Sequence, residues 1–188
     1  MKFNMNKIIL VDIDGPLADF EAGFLEIWKK KFPGEFFVPL KDRKTLYLTE
    51  DYPSSLREKV ESVKIMEGFI SGLSIVRGSV NALKEMVESG FKVFICSSEI
   101  FANENCLTEK KNWINRHFGE VFAKNAIFTK DKTLIKGDFL IDDKPEITGV
   151  YSPEWKHIIF DQPFNGNVND KPRINADWSN WKEAIDRK

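Results

Sequence analysis

A short apolar run that ends in two aspartates decides the fold of this chain: Ile8-Ile9-Leu10-Val11-Asp12-Ile13-Asp14-Gly15-Pro16-Leu17. Its first half has no polar alternation, which is typical of a strand buried on both faces in a parallel α/β sheet. Because ligands of such sheets collect at the carboxyl ends of strands, Asp12 and Asp14 are candidate functional residues. The alternative interpretation is an ordinary Asp-Gly turn, with Asp14 as a cap and Gly15 at positive φ.

Length and composition restrict the class of protein. The chain has 188 residues, of which 42 % are hydrophobic, enough for one domain or for one domain with a sizeable insertion. Its 28 basic and 29 acidic residues argue against a protein that coats a nucleic-acid polymer. The two cysteines, Cys96 and Cys106, lack the spacing of a disulfide framework or a zinc site. With neither a signal peptide nor a bilayer-length apolar stretch, the expected location is cytoplasmic, without membrane contact.

Patterns along the chain predict a helical insertion followed by alternating strands and helices. Residues 17–75 contain helical spacings without a strand-like run, and they are predicted to form a small helical cap. Residues 1–16 and 76–188 are predicted to form an α/β core, a Rossmann-like doubly wound parallel sheet. Five strands are predicted, at residues 8–11, 91–96, 126–128, 139–141 and 157–160. Residues 163–175, rich in Asn, Gly and Pro, are predicted to be a loop.

Two of the predicted helices follow strands of the core. The first begins at Thr108 and ends at Gly119, and three of its residues, Lys111, Ile114 and Phe118, line up with Leu107 just before it. The second begins at Asp177 or Ser179 and packs Trp residues of the C-terminal region inward.

Polar side chains follow four of the predicted strands. They are Asp12 and Asp14, then Ser97, then Lys132, then Asp142 and Asp143. Because the carboxyl ends of parallel strands lie along one edge of the sheet, these groups are expected to converge. Two pairs of acids in one place repel each other unless a cation or a reaction offsets the repulsion. The set predicts phosphoryl transfer through an aspartate.

Each member of the set has a chemical role in such a reaction. Asp12 is the predicted nucleophile that attacks phosphorus. Asp14 is the predicted acid-base, which protonates the leaving alkoxide and then activates the hydrolytic water. Lys132 and Ser97 are predicted to bind the phosphate and to stabilise the charge that develops on it.

The oxygen-only ligand set predicts a bound Mg²⁺ ion rather than zinc. Its expected ligands are Asp12, the backbone carbonyl of Asp14, and one carboxylate of the final pair, Asp142 or Asp143. The ion would offset the repulsion between the carboxylates and a phosphate.

Four motifs resemble those of the haloacid dehalogenase superfamily and, within it, of the 5′(3′)-deoxyribonucleotidases. They are VDIDGPLADF at residues 11–20, VFICSS at 93–98, TKDKT at 129–133 and LIDDKP at 140–145. The resemblance covers nearly the whole chain. It implies Mg²⁺-dependent hydrolysis of deoxyribonucleoside monophosphates, small-molecule substrates, through an aspartyl-phosphate, and it leaves a homodimer open.

The resemblance also implies roles for residues that the strand-end pattern leaves out. Two further residues would bind phosphate and three would contact the base and sugar: Ser98 and Lys130, and Phe20, Leu46 and Tyr47. Of the final acid pair, it favours Asp143 as the metal ligand, with Asp142 as a supporting partner or alternative ligand.

Other functions fit part of the same pattern. A superfamily phosphatase for another small phosphomonoester would use the same chemistry. A dehalogenase does not need the acid-base that Asp14 supplies. A phosphoacceptor signalling domain uses similar residues, but there the acid pair normally comes first and no large insertion follows the first strand. A nucleotide-binding protein without catalysis also stays open. His117 and His157 are expected to be structural.

Overall fold

The computed structural model, which describes residues 6–100 and 103–186, contains a six-stranded parallel sheet. Its strands are β1 Ile8–Val11, β2 Lys92–Ser97, β3 Ile127–Phe128, β4 Phe139–Asp142, β5 Lys156–Phe160 and β6 Arg173–Ile174. The order across the sheet is β3-β2-β1-β4-β5-β6, so the chain first builds one side of β1 and then the other. The predicted doubly wound parallel α/β fold is confirmed.

Strand β1 lies at the point where the strand order reverses. Val11 at its end pairs with Ile95 of β2 on one side and with Ile141 of β4 on the other. In open α/β sheets the crevice outside this reversal point is where ligands bind. Asp12, the next residue along the chain, therefore begins the loop at that crevice.

Alternate residues of the central strands bury opposite faces of the sheet. Ile9 and Val11 belong to a large hydrophobic cluster that includes residues of the helices, whereas Leu10 belongs to a smaller cluster with Cys96, Leu140 and Trp155. The strands are thus buried on both faces, which explains their continuous apolar sequence.

Most of the described helices are short. They are α1 Phe20–Lys31, α2 Leu48–Asp51, α3 Arg57–Lys64, α4 Ser79–Glu88, α5 Cys106–Phe118, α6 Glu120–Lys124 and α7 Trp181–Asp186. Single 3₁₀ turns occupy Leu40–Asp42, Ser54–Leu56, Lys132–Leu134 and Pro163–Asn165. None of these helices, in the part of the chain that the structure describes, is long and apolar enough to cross a membrane.

Helices α1 to α3 lie between β1 and α4, in the segment that the sequence predicts to be helical. Two backbone hydrogen bonds join the ends of this segment: Asp19 N donates to Ser74 O and Val76 N donates to Leu17 O, each at 2.8 Å. The division of the chain into a core and a separate cap, bounded at residues 17 and 75, stays a prediction.

The main differences from the sequence-based prediction are one additional strand and the starts of two helices. The loop predicted at residues 163–175 contains strand β6, because the Arg173 guanidinium donates to the Asn165 and Val168 carbonyls and folds the segment against β5. Helix α5 begins at Cys106 rather than Thr108. Helix α7 begins at Trp181, later than either predicted start.

Candidate active site

The loop after β1 brings its two aspartates to the carboxyl edge of the sheet. Asp12 N continues the ladder with a 2.9 Å hydrogen bond to Ile141 O. Gly15 then adopts a φ of +96°, and a Cβ atom there would collide with Asp143 Oδ2. Glycine is therefore required both for the turn and for the close approach of Asp143. The predicted positive φ of Gly15 is confirmed, and such a turn is compatible with the site predicted at this loop.

Asp12 shares the buried amine of Lys132 with Asp142. Lys132 Nζ lies 3.0 Å from Asp12 Oδ1 and 2.5 Å from Asp142 Oδ2. Burial favours the protonated form of Asp12, but the charges of Lys132 and Lys110 outweigh it and lower the pKa of this carboxyl. Asp12 is consequently held as a carboxylate, the form that a nucleophile needs.

A second buried lysine, Lys110 of α5, holds Asp14. Its Nζ lies 2.7 Å from Asp14 Oδ2, 3.0 Å from Ser97 Oγ and 2.6 Å from Ser98 O. Burial nevertheless raises the pKa of Asp14 above its ordinary value, with Lys110 opposing the shift. Asp14 Oδ1 is buried without a hydrogen-bond partner among the described residues. The sequence patterns did not single out Lys110.

The two carboxylates that follow β4 have different surroundings. Asp142 Oδ2 accepts from Lys132, and its Oδ1 accepts from the backbone N–H of Lys144 at 2.9 Å. Asp143 is fixed through its backbone, whose carbonyl accepts from Asn165 Nδ2 at 2.8 Å. Burial, together with the charges of Asp142 and Asp12, raises the pKa of Asp143 well above its ordinary value.

This acidic group has the composition of a divalent-cation site. Oxygen atoms of Asp12, Asp142 and Asp143 lie within 4.8 Å of one another. With Asp14 there are four carboxylates beside two amines, those of Lys110 and Lys132. Hard oxygen ligands with excess negative charge suit Mg²⁺ or a similar ion.

An open cavity of about 200 Å³ lies against the aspartates. Its wall includes Asp12, Asp14 and Asp143 together with the three residues that the resemblance assigns to the base and sugar, which are Phe20, Leu46 and Tyr47. Further wall residues are Glu21, Leu48, Lys64, Ser98, Ile100, Lys144 and Phe164. The polar part of the wall includes the residues that follow strands β1 and β4, and an apolar part comes from the helical segment. Such a mixture is usual in small-molecule sites.

The other predicted phosphate residues occupy different positions. Ser97 and Lys132 are buried behind the cavity wall, and each contacts a site residue, Lys110 and Asp12 respectively. Lys130 is exposed and does not belong to the cavity wall described above. Its role in binding phosphate stays a prediction.

The two histidines have packing environments away from this cavity wall. The His117 ring lies 4.5 Å from that of Trp113, centroid to centroid. Burial lowers the pKa of His157 to about 4, which keeps its ring neutral. Neither observation gives His117 or His157 a role in the reaction.

Comparison with known proteins adds evidence about the family. A family model described as "5' nucleotidase, deoxy (Pyrimidine), cytosolic type C protein" matches residues 6–187. A Bordetella bronchiseptica protein described provisionally as a 5′(3′)-deoxyribonucleotidase is 44 % identical over 178 residues, covering 95 % of both chains. The human cytosolic-type 5′(3′)-deoxyribonucleotidase is 39 % identical over 96 % of this chain and 94 % of its own. The human mitochondrial 5′(3′)-deoxyribonucleotidase is 37 % identical over 96 % and 82 %.

Proposed function

We propose a deoxyribonucleotidase function for this chain, which belongs to the family of cytosolic type C 5′(3′)-deoxyribonucleotidases. The proposed reaction hydrolyses a deoxyribonucleoside monophosphate to the deoxyribonucleoside and phosphate. The observation that carries it is the placement of Asp12 and Asp14, each beside its own buried lysine, on the wall of one cavity.

In the first step, Asp12 attacks the phosphorus atom. A bond forms between its carboxylate oxygen and phosphorus, and the bond from phosphorus to the sugar oxygen breaks. Asp14 donates a proton to the departing oxygen, a role supported by its raised pKa.

In the second step, water hydrolyses the aspartyl-phosphate. Asp14, now a carboxylate, takes a proton from the water as its oxygen bonds to phosphorus. The bond between phosphorus and Asp12 breaks, and both aspartates return to their starting states. Lys110 keeps Asp14 oriented through both steps, because the amine is itself fixed by Ser97 and the Ser98 carbonyl.

The phosphate is bound by charge and by hydrogen bonds at the polar part of the cavity wall. Lys132 is beside Asp12, where it stabilises charge on the transferring group. Ser97, Ser98 and Lys130 are the remaining proposed phosphate residues. Asp12, Asp143 and the Asp14 carbonyl would hold Mg²⁺, which would supply further charge neutralisation. Asp142 is the alternative ligand, but both of its oxygens already accept hydrogen bonds.

The nucleoside would lie against the apolar part of the cavity wall. Phe20 packs edge-on against Phe69, with ring centroids 5.1 Å apart, so its ring is held in place. Tyr47 is 59 % exposed and Leu46 is half-buried, which leaves both side chains accessible to a base. Aromatic side chains such as those of Phe20 and Tyr47 stack on bases without strong preference for one base.

A cytoplasmic location and an action on free nucleotides rather than polymers complete the proposal. The named human relatives include a cytosolic and a mitochondrial protein. A homodimer stays a prediction.

A substrate panel tests the proposed function. Initial rates with Mg²⁺ should be measured for dUMP, dTMP, UMP, 3′-nucleotides and sugar phosphates. The expected result is the highest kcat/KM for deoxyribonucleotides, with no turnover by Asp12→Asn. Equal or better use of sugar phosphates would instead identify a phosphatase for another small phosphomonoester.

A further inference from the structure

A buried arginine outside the reacting groups organises one wall of the cavity. Arg43 follows the 3₁₀ turn Leu40–Asp42 and is only 3 % exposed. Its Nε and Nη2 donate to Glu21 at 2.6 and 3.2 Å, and its Nη1 donates to Asp51. The guanidinium thereby joins the first turn of α1 to the end of α2.

Asp51 carries this connection into the loop before α2. One of its oxygens, Oδ2, accepts from Arg43 and also from the backbone N–H groups of Lys44 at 3.0 Å and Thr45 at 3.3 Å. Thr45 Oγ1 then donates to the Tyr47 carbonyl at 3.0 Å. The backbone of the loop from residue 43 to 47 is therefore held by a continuous set of polar contacts.

The residues held by these contacts line the cavity. Leu46, Tyr47 and Leu48 belong to the loop and the start of α2, and Glu21 belongs to the wall as well. Arg43 also lies near a residue from a distant part of the chain, since its guanidinium carbon is 5.9 Å from the ring centroid of Phe164. Phe164 is another wall residue, and its neighbour Asn165 donates to the Asp143 carbonyl.

The energetics of buried ion pairs indicate that this cluster controls geometry more than stability. Desolvation of buried charges consumes most of their attraction, so the net stability gained from such pairs is small, although removal of one partner leaves the other charge buried and unpaired. The planar fork of arginine suits the bidentate contact with Glu21, and lysine cannot reproduce it. Arg43 also neutralises Glu21, which otherwise would present an unpaired carboxylate to an anionic substrate.

We propose that Arg43 and Asp51 are positioning residues that set nucleoside specificity by fixing the Leu46–Leu48 wall of the cavity. The proposal rests on the proposed nucleotidase function and extends it to residues that touch neither the phosphate nor the reacting atoms. Because the contacts act on the wall for the nucleoside, their loss should affect binding of the base and spare the chemistry at phosphorus.

Two substrates that share their reacting end separate these effects. They are dUMP and 2-deoxyribose 5-phosphate, which keeps the sugar and phosphate of dUMP but has no base. For Asp51→Asn and Arg43→Lys, we expect kcat/KM for dUMP to fall about tenfold or more through KM, and kcat/KM for 2-deoxyribose 5-phosphate to change less than about twofold. The selectivity between the substrates should therefore decrease.

Two further variants control for folding and for general effects of charge. Thr45→Val removes only the bond to the Tyr47 carbonyl and should give the same selectivity change, smaller in size, even where a variant of the buried pair fails to fold. Glu26→Gln removes an exposed ion pair with Lys30 on the same helix, α1, and should change neither substrate's kinetics.

The outcomes distinguish this inference from the proposed function. Parallel losses with both substrates, or unchanged selectivity in all three variants, would show that the cluster has only a structural role and would overturn the inference alone. Wild-type protein that hydrolyses 2-deoxyribose 5-phosphate but no nucleotide would overturn the proposed function together with the inference.

Discussion

Gly15 allows the loop after β1 to approach the final acid pair. Gly15→Ala would combine a positive φ with a Cβ atom that collides with Asp143 Oδ2. We expect a loss of about tenfold or more in kcat/KM, because Asp143 must move away from Asp12. Steady-state kinetics with Mg²⁺ titration measure this effect.

Gly34→Ala is the matched control for that substitution. Gly34 has a φ of +86°, but a Cβ atom added there would meet nothing within 4 Å. The variant should lose about 1–2 kcal/mol of stability from backbone strain and keep its activity. Equal kinetics for the two variants would contradict the steric role of Gly15.

Lys110 links Asp14, the proposed acid-base, to Ser97, a proposed phosphate residue. Lys110→Met removes the amine that contacts Asp14 and Ser97, and we expect kcat to fall by about 10²-fold or more. Lys111→Met, at the exposed neighbouring position of α5, should stay close to wild type. Measurement of kcat for both variants checks the prediction, and similar values would remove Lys110 from the mechanism.

The strand-end residues could be predicted, whereas Lys110 could not. The end of an apolar strand locates Asp12 directly, whereas a helical residue can be located only after the buried face of its helix has been identified. The predicted face contained Lys111, whereas the structure buries Lys110 with Cys106 and Trp113. A lysine at the spacing of the apolar residues was the available signal. This signal is hard to use, because a lysine is normally exposed and Lys110 is buried only through its contacts with Asp14 and Ser97, which lie far away in the sequence.

Among the secondary-structure elements, α5 holds residues 68–73, the segment that follows α3 and precedes α4. Its Glu109 carboxylate accepts from Gly68 N at 2.8 Å and from Ser71 N at 3.1 Å, and Trp113 Nε1 donates to Leu73 O at 2.8 Å. The helix that carries Lys110 is thereby connected to the segment that precedes α4.

Glu109→Gln tests the strength of this connection. The amide replaces one acceptor oxygen with a donor that faces a backbone N–H, so we expect the free energy of unfolding to fall by about 1–3 kcal/mol. Urea denaturation followed by circular dichroism measures the change. Glu104→Gln, at an exposed position just before α5, provides the control and should have little effect. Equal stability of the two variants would argue against the connection.

Strands with continuous apolar runs could be predicted from the sequence, whereas β6 could not. β1, β2, β4 and β5 each contain three or more consecutive apolar residues, the pattern typical of strands buried on both faces. β6 has two residues, and its position depends on the contacts of Arg173 with the preceding loop. Such contacts between side chains and distant backbone carbonyls leave no periodic pattern in the sequence.

Across the molecule as a whole, the site concentrates negative charge from separate parts of the chain. We expect EDTA to abolish activity and Mg²⁺ to restore it. Mg²⁺ should also raise the thermal unfolding temperature of wild-type protein, because binding to the folded state stabilises it. Asp143→Asn should lose most of this shift, whereas Asp138→Asn, outside the acidic group, should retain it. A shift that persists in Asp143→Asn would contradict the proposed role of Asp143 as a metal ligand.

The cavity as a whole was only partly predictable. The polar part of its wall follows from strand order, which brings Asp12, Asp14 and Asp143 to one edge. The resemblance supplied Phe20, Leu46 and Tyr47, and all three line the cavity. The contacts that hold their loop, centred on Arg43, depend on ionic partners far apart in sequence. No local spacing predicts such partners.

Covalent phosphorylation of Asp12 during turnover is the step on which the proposed mechanism depends. It can be detected by acid quenching of the enzyme during hydrolysis of dUMP, followed by borohydride reduction and peptide mass spectrometry. Because an aspartyl-phosphate would be reduced to homoserine, we predict homoserine at position 12 in wild-type protein and none in Asp12→Asn. Turnover without modification at position 12, or modification at another aspartate, would contradict the mechanism.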